Sequence, residues 1–184
     1  RKFRKPLIVM TPKSLLRHKM SVSPLEDLST GRFELLIPEI EPIETKKTRR
    51  VVFCSGKVFF DLLEAREVHN IDDIAIVRIE QLYPFPINEY ADIIAEYGHV
   101  EEIVWCQEEP LNQGAWYQIK HRLQEPLADH QQLYYAGRAG AAAPASGIFK
   151  VHLQQQQALV EAALDISSEA EKVRKPEKTK RKTT

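Results

Sequence analysis

The sequence predicts an α/β fold: a three-layer domain with a mostly parallel sheet and helices on both faces. Strand-like apolar runs of four to six residues alternate four times with segments whose apolar positions recur at helical spacing. The runs are apolar throughout, as in strands buried on both faces, rather than alternately apolar and polar. Glycine or proline punctuates the strand ends, which suits the short connections of such folds.

Taken in order, residues 6–10 (PLIVM) have the look of a short buried strand, and Pro12 ends it. Residues 21–48 hold Ser, Pro, Glu and Thr with little periodicity, as in a linker or a segment draped over another domain. Residues 50–55 (RVVFCS) form a continuous apolar strand that stops at Gly56. A helix over 57–68 follows, with Val58, Phe59, Leu62, Leu63 and Ala65 at helical spacing. Residues 74–79 (IAIVRI) make the next strand, and Pro86 of "YPFP" suits the first turn of a helix over 86–97. Tyr90, Ile93, Ile94 and Tyr97 share one face of it. A strand at 103–106, a helix at 114–124, a strand at 133–136 and a final helix at 151–164 complete the pattern. The loop "GRAGAAAPASG" precedes that last helix, and there are no internal repeats.

The 184 residues suffice for one domain of ordinary size with extensions. The chain opens on Arg1 rather than Met, as a piece of a longer polypeptide would. No signal peptide is visible, and no apolar run approaches the ~20 residues that span a bilayer. We therefore expect a soluble protein without a membrane partner. The zero net charge hides an asymmetry: residues 1–20 and 171–184 each carry seven Lys/Arg. The stretch 21–170 is left with 12 basic and 24 acidic residues, a formal charge of −12. So acidic a body lacks the clustered basic face that nucleic acid requires. The basic end, 166–184, is expected to be a solvated, disordered tail. Cys54 and Cys106 sit inside apolar runs, and the six histidines show no ligand spacing with them, which argues against zinc. Both are expected to be reduced core residues.

Ligands of such sheets gather at the carboxyl ends of the strands. Here those ends are "CSGK", "EQLYPFP", "CQEEPLNQGAW" and "AGRAG". "SGK" (55–57) lacks the glycine-rich frame of a phosphate loop and is taken as an ordinary tight turn. Glu108 and Glu109 could be acid/base machinery only if both faced one cavity, yet neighbours in an extended chain diverge. As metal ligands they lack a third partner. A structural or interface role is favoured. Glu108, Glu109 and Asn112 can accept backbone N–H groups of the following loop or helix start. Gly114 allows close backbone approach, and Trp105 and Trp116 bury large area. "KSLLRHK" (13–19), with Lys13, Ser14, Arg17 and His18, is either an anion-contacting loop or a solvated basic one.

Six segments together carry a resemblance: "PLIVMTPKSLLRHK", "VVFCSGKVFFDLLEAR", "DIAIVRIEQLYPFP", "VWCQEEPLNQGAW", "YAGRAGAAAPASG" and "KVHLQQQQALVEAAL". In that order they resemble the C-terminal region of the decarboxylating first component of 2-oxoglutarate dehydrogenase, over residues 4–165. Bacterial and mitochondrial forms share the pattern, implying a cytoplasmic or mitochondrial-matrix location respectively. The 2-oxoadipate paralogue shares "SGK", "PFP" and "QEEP", whereas "NQGAW" and "KSLLRH" favour the 2-oxoglutarate family. The resemblance implies that 1–20 is the last strand and exit loop of a pyrimidine-binding domain, 21–48 a linker and 49–165 a transketolase-type C-terminal domain. It implies thiamine diphosphate and Mg²⁺ held mainly outside this chain, a homodimer, and a dihydrolipoyl succinyltransferase partner. The motifs that hold cofactor and metal have no counterpart here, so no catalytic residue is assigned. Actinobacterial members form part of an acetyl-CoA site with paired arginines after the "EQL.P.P" strand end. Asn88 and Glu89 stand at those positions, which speaks against that regulation here. The segment after Asp165 extends past the usual family end. A stand-alone nucleotide-binding or regulatory module of the same fold is the alternative.

Overall fold

The structure is a computed structural model that describes residues 4–6 and 8–166. The basic tail expected over 166–184 thus lies, past Ile166, outside the described residues. The chain divides into two compact units, Arg1–Phe33 and Glu34–Thr184.

In the first unit a 3-10 turn, Lys13–Arg17, follows Pro12, and a short helix α1 (Leu25–Ser29) follows Pro24. The buried strand expected at 6–10 is not formed. Residues 8–10 have no regular structure and are open to solvent, Ile8 by 83% and Met10 by 91%. An apolar run becomes a strand only by backbone pairing, and no strand pairs with these residues among those described.

The second unit carries a five-stranded sheet. In chain order its elements are β1 (Leu36–Ile37), β2 (Arg50–Cys54), α2 (Val58–Val68), β3 (Ile74–Ile79), α3 (Ile87–Glu96), β4 (Glu102–Pro110), α4 (Trp116–Gln124), β5 (Gln132–Arg138) and α5 (Phe149–Leu164). The strand order is β1-β3-β2-β4-β5. All pairings are parallel except β1 with β3, where Leu36 lies opposite Ile79. This is the expected α/β sandwich, with one antiparallel edge strand lying in the stretch read from sequence as a linker.

One face of the sheet (Val51, Phe53, Ala75, Val77, Ile103, Trp105, Leu133) packs on Tyr90, Ile93 and Ile94 of α3 and Trp116, Ile119 and Leu123 of α4. Alternation sends Val52, Cys54, Ile76, Val104 and Cys106 to the other face, where α2 and α5 lie. Burying these side chains supplies most of the driving force, about 1.5–3 kcal/mol for each large one. Cys54 and Cys106 are free thiols buried opposite one another on β2 and β4.

Two charged devices finish the sheet. Beyond β1 the edge of β3 is open, and Glu39 fills it: its carboxylate accepts the Ile76 N–H at 2.6 Å and pairs in a two-pronged bond with Arg66. Arg66 also donates to Ile74 O at 3.1 Å, and both side chains are buried. At the amino end of β2, buried Arg50 pairs with Glu102 (2.7 Å) and donates to Ala162 O and Ala163 O. A cation thereby meets the last carbonyls of α5, where the helix dipole is negative.

Candidate functional site

β2 leads leftward to β3 through α2, whereas β4 leads rightward to β5 through α4, so the sheet switches direction between β2 and β4. A crevice opens at the carboxyl ends of strands at such a point. Here it is a cavity of about 850 Å³. Ser55 and Gly56 bound it at the end of β2, Leu82 to Phe85 come from the loop after β3, and Trp105, Gln107 and Glu109 from β4. The α4 side contributes Ala115, Gln118, Ile119, His121 and Arg122. Gly56 turns the chain with φ of +77°, a left-handed value that glycine adopts without penalty.

β4 shapes the site. Its pairing with β5 breaks register between Cys106 and Pro110, and this irregularity carries the strand past the sheet. The two carboxylates diverge there. Glu108 turns towards α2 and α5: Lys57 Nζ lies 3.1 Å from Glu108 Oε1 and 2.6 Å from Asp61 Oδ2. Gln156 Nε2 donates to both carboxylates, at 2.8 and 2.7 Å. Arg138 extends the network by donating to Gln155, Gln156 and His152 Nδ1. Lys57 is held above its ordinary pKa by Asp61 and Glu108, which outweigh the opposing effect of burial, the largest single influence. Glu109 turns the other way and lines the cavity.

Gln107, which the sequence analysis did not single out, is the residue that joins strand end to helix start. Its Oε1 accepts Trp105 Nε1–H at 2.9 Å and the Trp116 backbone N–H at 3.1 Å. Its Nε2 donates to the carbonyls of Glu109, Pro110 and Gln113 at 2.9–3.3 Å. One buried amide thus satisfies both tryptophan segments and the intervening loop. Trp105 is 1% exposed, and Trp116 packs beside Tyr135 with ring centroids 5.0 Å apart. Burial pushes the Tyr90 and Tyr135 phenols and both thiols well above their ordinary pKa.

Gly114 has φ of +66°, and a Cβ there would come within 2.9 Å of Glu109 Cβ and 3.0 Å of Gln107 Nε2. Asn112 faces away from this join and pins the small-residue loop, donating to Ala141 O and accepting the Ala141 N–H, each at 2.9 Å. Lys13, Ser14 and Arg17 lie on the exposed 3-10 turn of the first unit, and His18 Nδ1 accepts the Met20 N–H at 3.3 Å. Among the described residues no group of three His, Cys, Asp or Glu side chains is placed to hold a metal ion, and no helix is long and apolar enough to cross a membrane.

Fold and cavity together define an open, doubly wound α/β domain with a ligand-sized recess at its switch point. A family model described as 2-oxoglutarate dehydrogenase C-terminal matches residues 22–164. The chain belongs to this family. It is 50% identical to the 2-oxoglutarate dehydrogenase E1 component of Azotobacter vinelandii over 169 residues, 90% of this chain and 18% of that protein. The counterpart from Cupriavidus necator is 52% identical over 163 residues (89% and 17%), and that from Haemophilus influenzae 52% over 164 (89% and 18%). The chain therefore spans less than a fifth of the length of these relatives.

Proposed function

We propose that this chain is the C-terminal domain of a decarboxylating component that converts 2-oxoglutarate oxidatively and passes the succinyl group to lipoamide on a dihydrolipoyl succinyltransferase. The observation that carries this is the identity of about half, sustained across nine-tenths of the chain, to bacterial E1 components. In this reading thiamine diphosphate, the electron sink of the reaction, and its Mg²⁺ are held by other parts of the polypeptide. No catalytic role is proposed for the residues of this chain.

The domain's own share is mechanical. Gln107, Trp105, Trp116 and Gly114 fix the strand-end turn, Glu108 ties it to α2 and α5, and Asn112 holds the loop that follows β5. A rigid surface of this kind suits dimer assembly and the outer support of an active site formed elsewhere. The exposed cations of 13–19 fit contact with an anionic group from another part of the assembly.

The test is turnover. Purified as it stands, the chain is expected to show no decarboxylation of 2-oxoglutarate with thiamine diphosphate, Mg²⁺ and a redox dye. Joined to the preceding polypeptide of a relative, it is expected to restore activity. Turnover by the chain alone, or a joined protein that assembles yet stays inactive, would sink this assignment.

A further inference from the structure

The chain has two cysteines, and the fold brings them to one place. Parallel pairing of β2 with β4 runs from Arg50 opposite Glu102 to Cys54 opposite Cys106, so the two thiols share the last rung of that ladder. Partners on neighbouring strands send their side chains to the same face of a sheet. Both thiols therefore lie side by side on the face that α2 and α5 cover, fully buried and free. Paired strands lie about 4.7–4.9 Å apart, within the Cα separation of about 4.4–6.8 Å that a disulfide spans. The neighbours also feel each other: burial, and after it the Cys54 side chain, push the Cys106 thiol up. Beyond this rung the chain of β2 turns away at Gly56, and β4 loses register with β5 before Pro110. The diverging ends bound the switch-point cavity, Ser55 and Gly56 on one side, Gln107 and Glu109 on the other.

We propose that Cys54 and Cys106 are a redox staple: under a hydroperoxide they close into an intrachain disulfide that pins β2 to β4 at the mouth of the cavity. One thiol gives up its proton and attacks the peroxide O–O bond, becoming a sulfenic acid; the hydroxide that leaves takes that proton and departs as water. The second thiol then attacks the sulfenic sulfur, forming the S–S bond and expelling a second water. In sum two thiols and one peroxide give one disulfide and two waters, each sulfur losing one electron. Burial sets the pace. The apolar surroundings hold both protons, so the closed sheet does not react and oxidation waits on opening. A ladder opens at lower cost from its ends than from its middle, and these thiols stand at an end. The staple thus answers sustained exposure to peroxide rather than a brief pulse. Once closed, it holds the two strand ends together and shortens the freedom of the unfolded chain by a loop of about 50 residues.

The whole 184-residue chain, fully reduced, can be held in millimolar hydrogen peroxide at neutral pH for hours, quenched with catalase, unfolded and treated with N-ethylmaleimide. Before oxidation it should take up two labels, and afterwards none until dithiothreitol is added. A proteolytic digest should yield the Cys54 and Cys106 peptides joined and lighter by two hydrogens than their sum; reading peptides keeps oxidation of the exposed Met10 out of the result. The oxidised chain should melt about 5 °C or more above the reduced one. In Cys106→Ala, peroxide should bring no such rise. Two labels remaining after prolonged exposure, sulfinic acid in place of the bond, or a disulfide joining two chains would overturn the proposal. So would a melting temperature that falls on closure, or a bond that forms only in urea-unfolded chains, since the folded sheet would then not be what brings the thiols together. The joined peptides of the unaltered chain decide the matter even where the variant fails to fold.

Discussion

Gln107 concentrates five hydrogen bonds on one buried amide, and no neighbour can replace it. Gln107→Leu keeps the volume but takes their partner from the Trp105 N–H, the Trp116 N–H and the Gln113 carbonyl, whereas Pro110 O keeps the Gln113 N–H and Glu109 O the Tyr135 hydroxyl. Each buried orphan costs about 1–3 kcal/mol, so a loss of about 2–4 kcal/mol is expected after relaxation. Urea unfolding followed by tryptophan fluorescence would measure it; a change below about 0.5 kcal/mol would show the amide to be dispensable. From sequence alone Gln107 was invisible, because a lone glutamine has no periodicity or motif. Its one signal was position: a polar residue closing a buried strand, with a tryptophan two places before it. The divergence of Glu108 and Glu109 was legible, since strand geometry sends successive side chains to opposite faces.

Among the elements, β1 and the Glu39 segment are coupled to β3 by charge as much as by pairing. β1 is two residues long, too short to leave a hydrophobic pattern, which is why residues 21–48 looked like a linker. The longer elements declared themselves: β2, β3 and α3 fall within a residue of the ranges their apolar spacing predicts. β4 runs to Pro110 rather than Cys106, because its polar end is held by pairing with β5 and not by burial of apolar side chains. Glu39→Ala should cost about 3–5 kcal/mol, since it strands the buried Arg66 guanidinium. The double variant Glu39→Ala/Arg66→Ala should cost clearly less than the sum of the single ones. Additive losses in a thermal-melt double-mutant cycle would show that the pair is not coupled.

For the whole second unit, the buried protons set a limit at high pH. Tyr90, Tyr135, Cys54 and Cys106 all have pKa values raised by burial. In the unfolded chain these groups lose their protons from about pH 8.5 for the thiols and about 10 for the phenols. The folded state keeps them. Stability is thus fully present below those values and falls as pH rises towards the folded pKa of each group. Each group that has ionised only in the unfolded state contributes a slope of about 1.4 kcal/mol per pH unit. The melting temperature should be lower at pH 10 than at pH 8, and Cys54→Ala should soften the decline. A melting temperature flat between those values would contradict the burial of these protons.

The carboxylate of Glu39 also does what a sixth strand would otherwise do: it denies the open N–H of Ile76 to other chains. Where the chain can be shortened follows from this. A protein trimmed to begin at residue 49, where the long apolar strands start, would expose a bare strand edge beside an unpaired arginine. It is expected to self-associate through that edge, with a β-sheet signature and rising light scattering. A protein trimmed to begin at Glu34 should remain dispersed. The folding unit thus has to include Glu39, eleven residues upstream of the Arg50 that opens the first long strand, because this one acid keeps the sheet from growing.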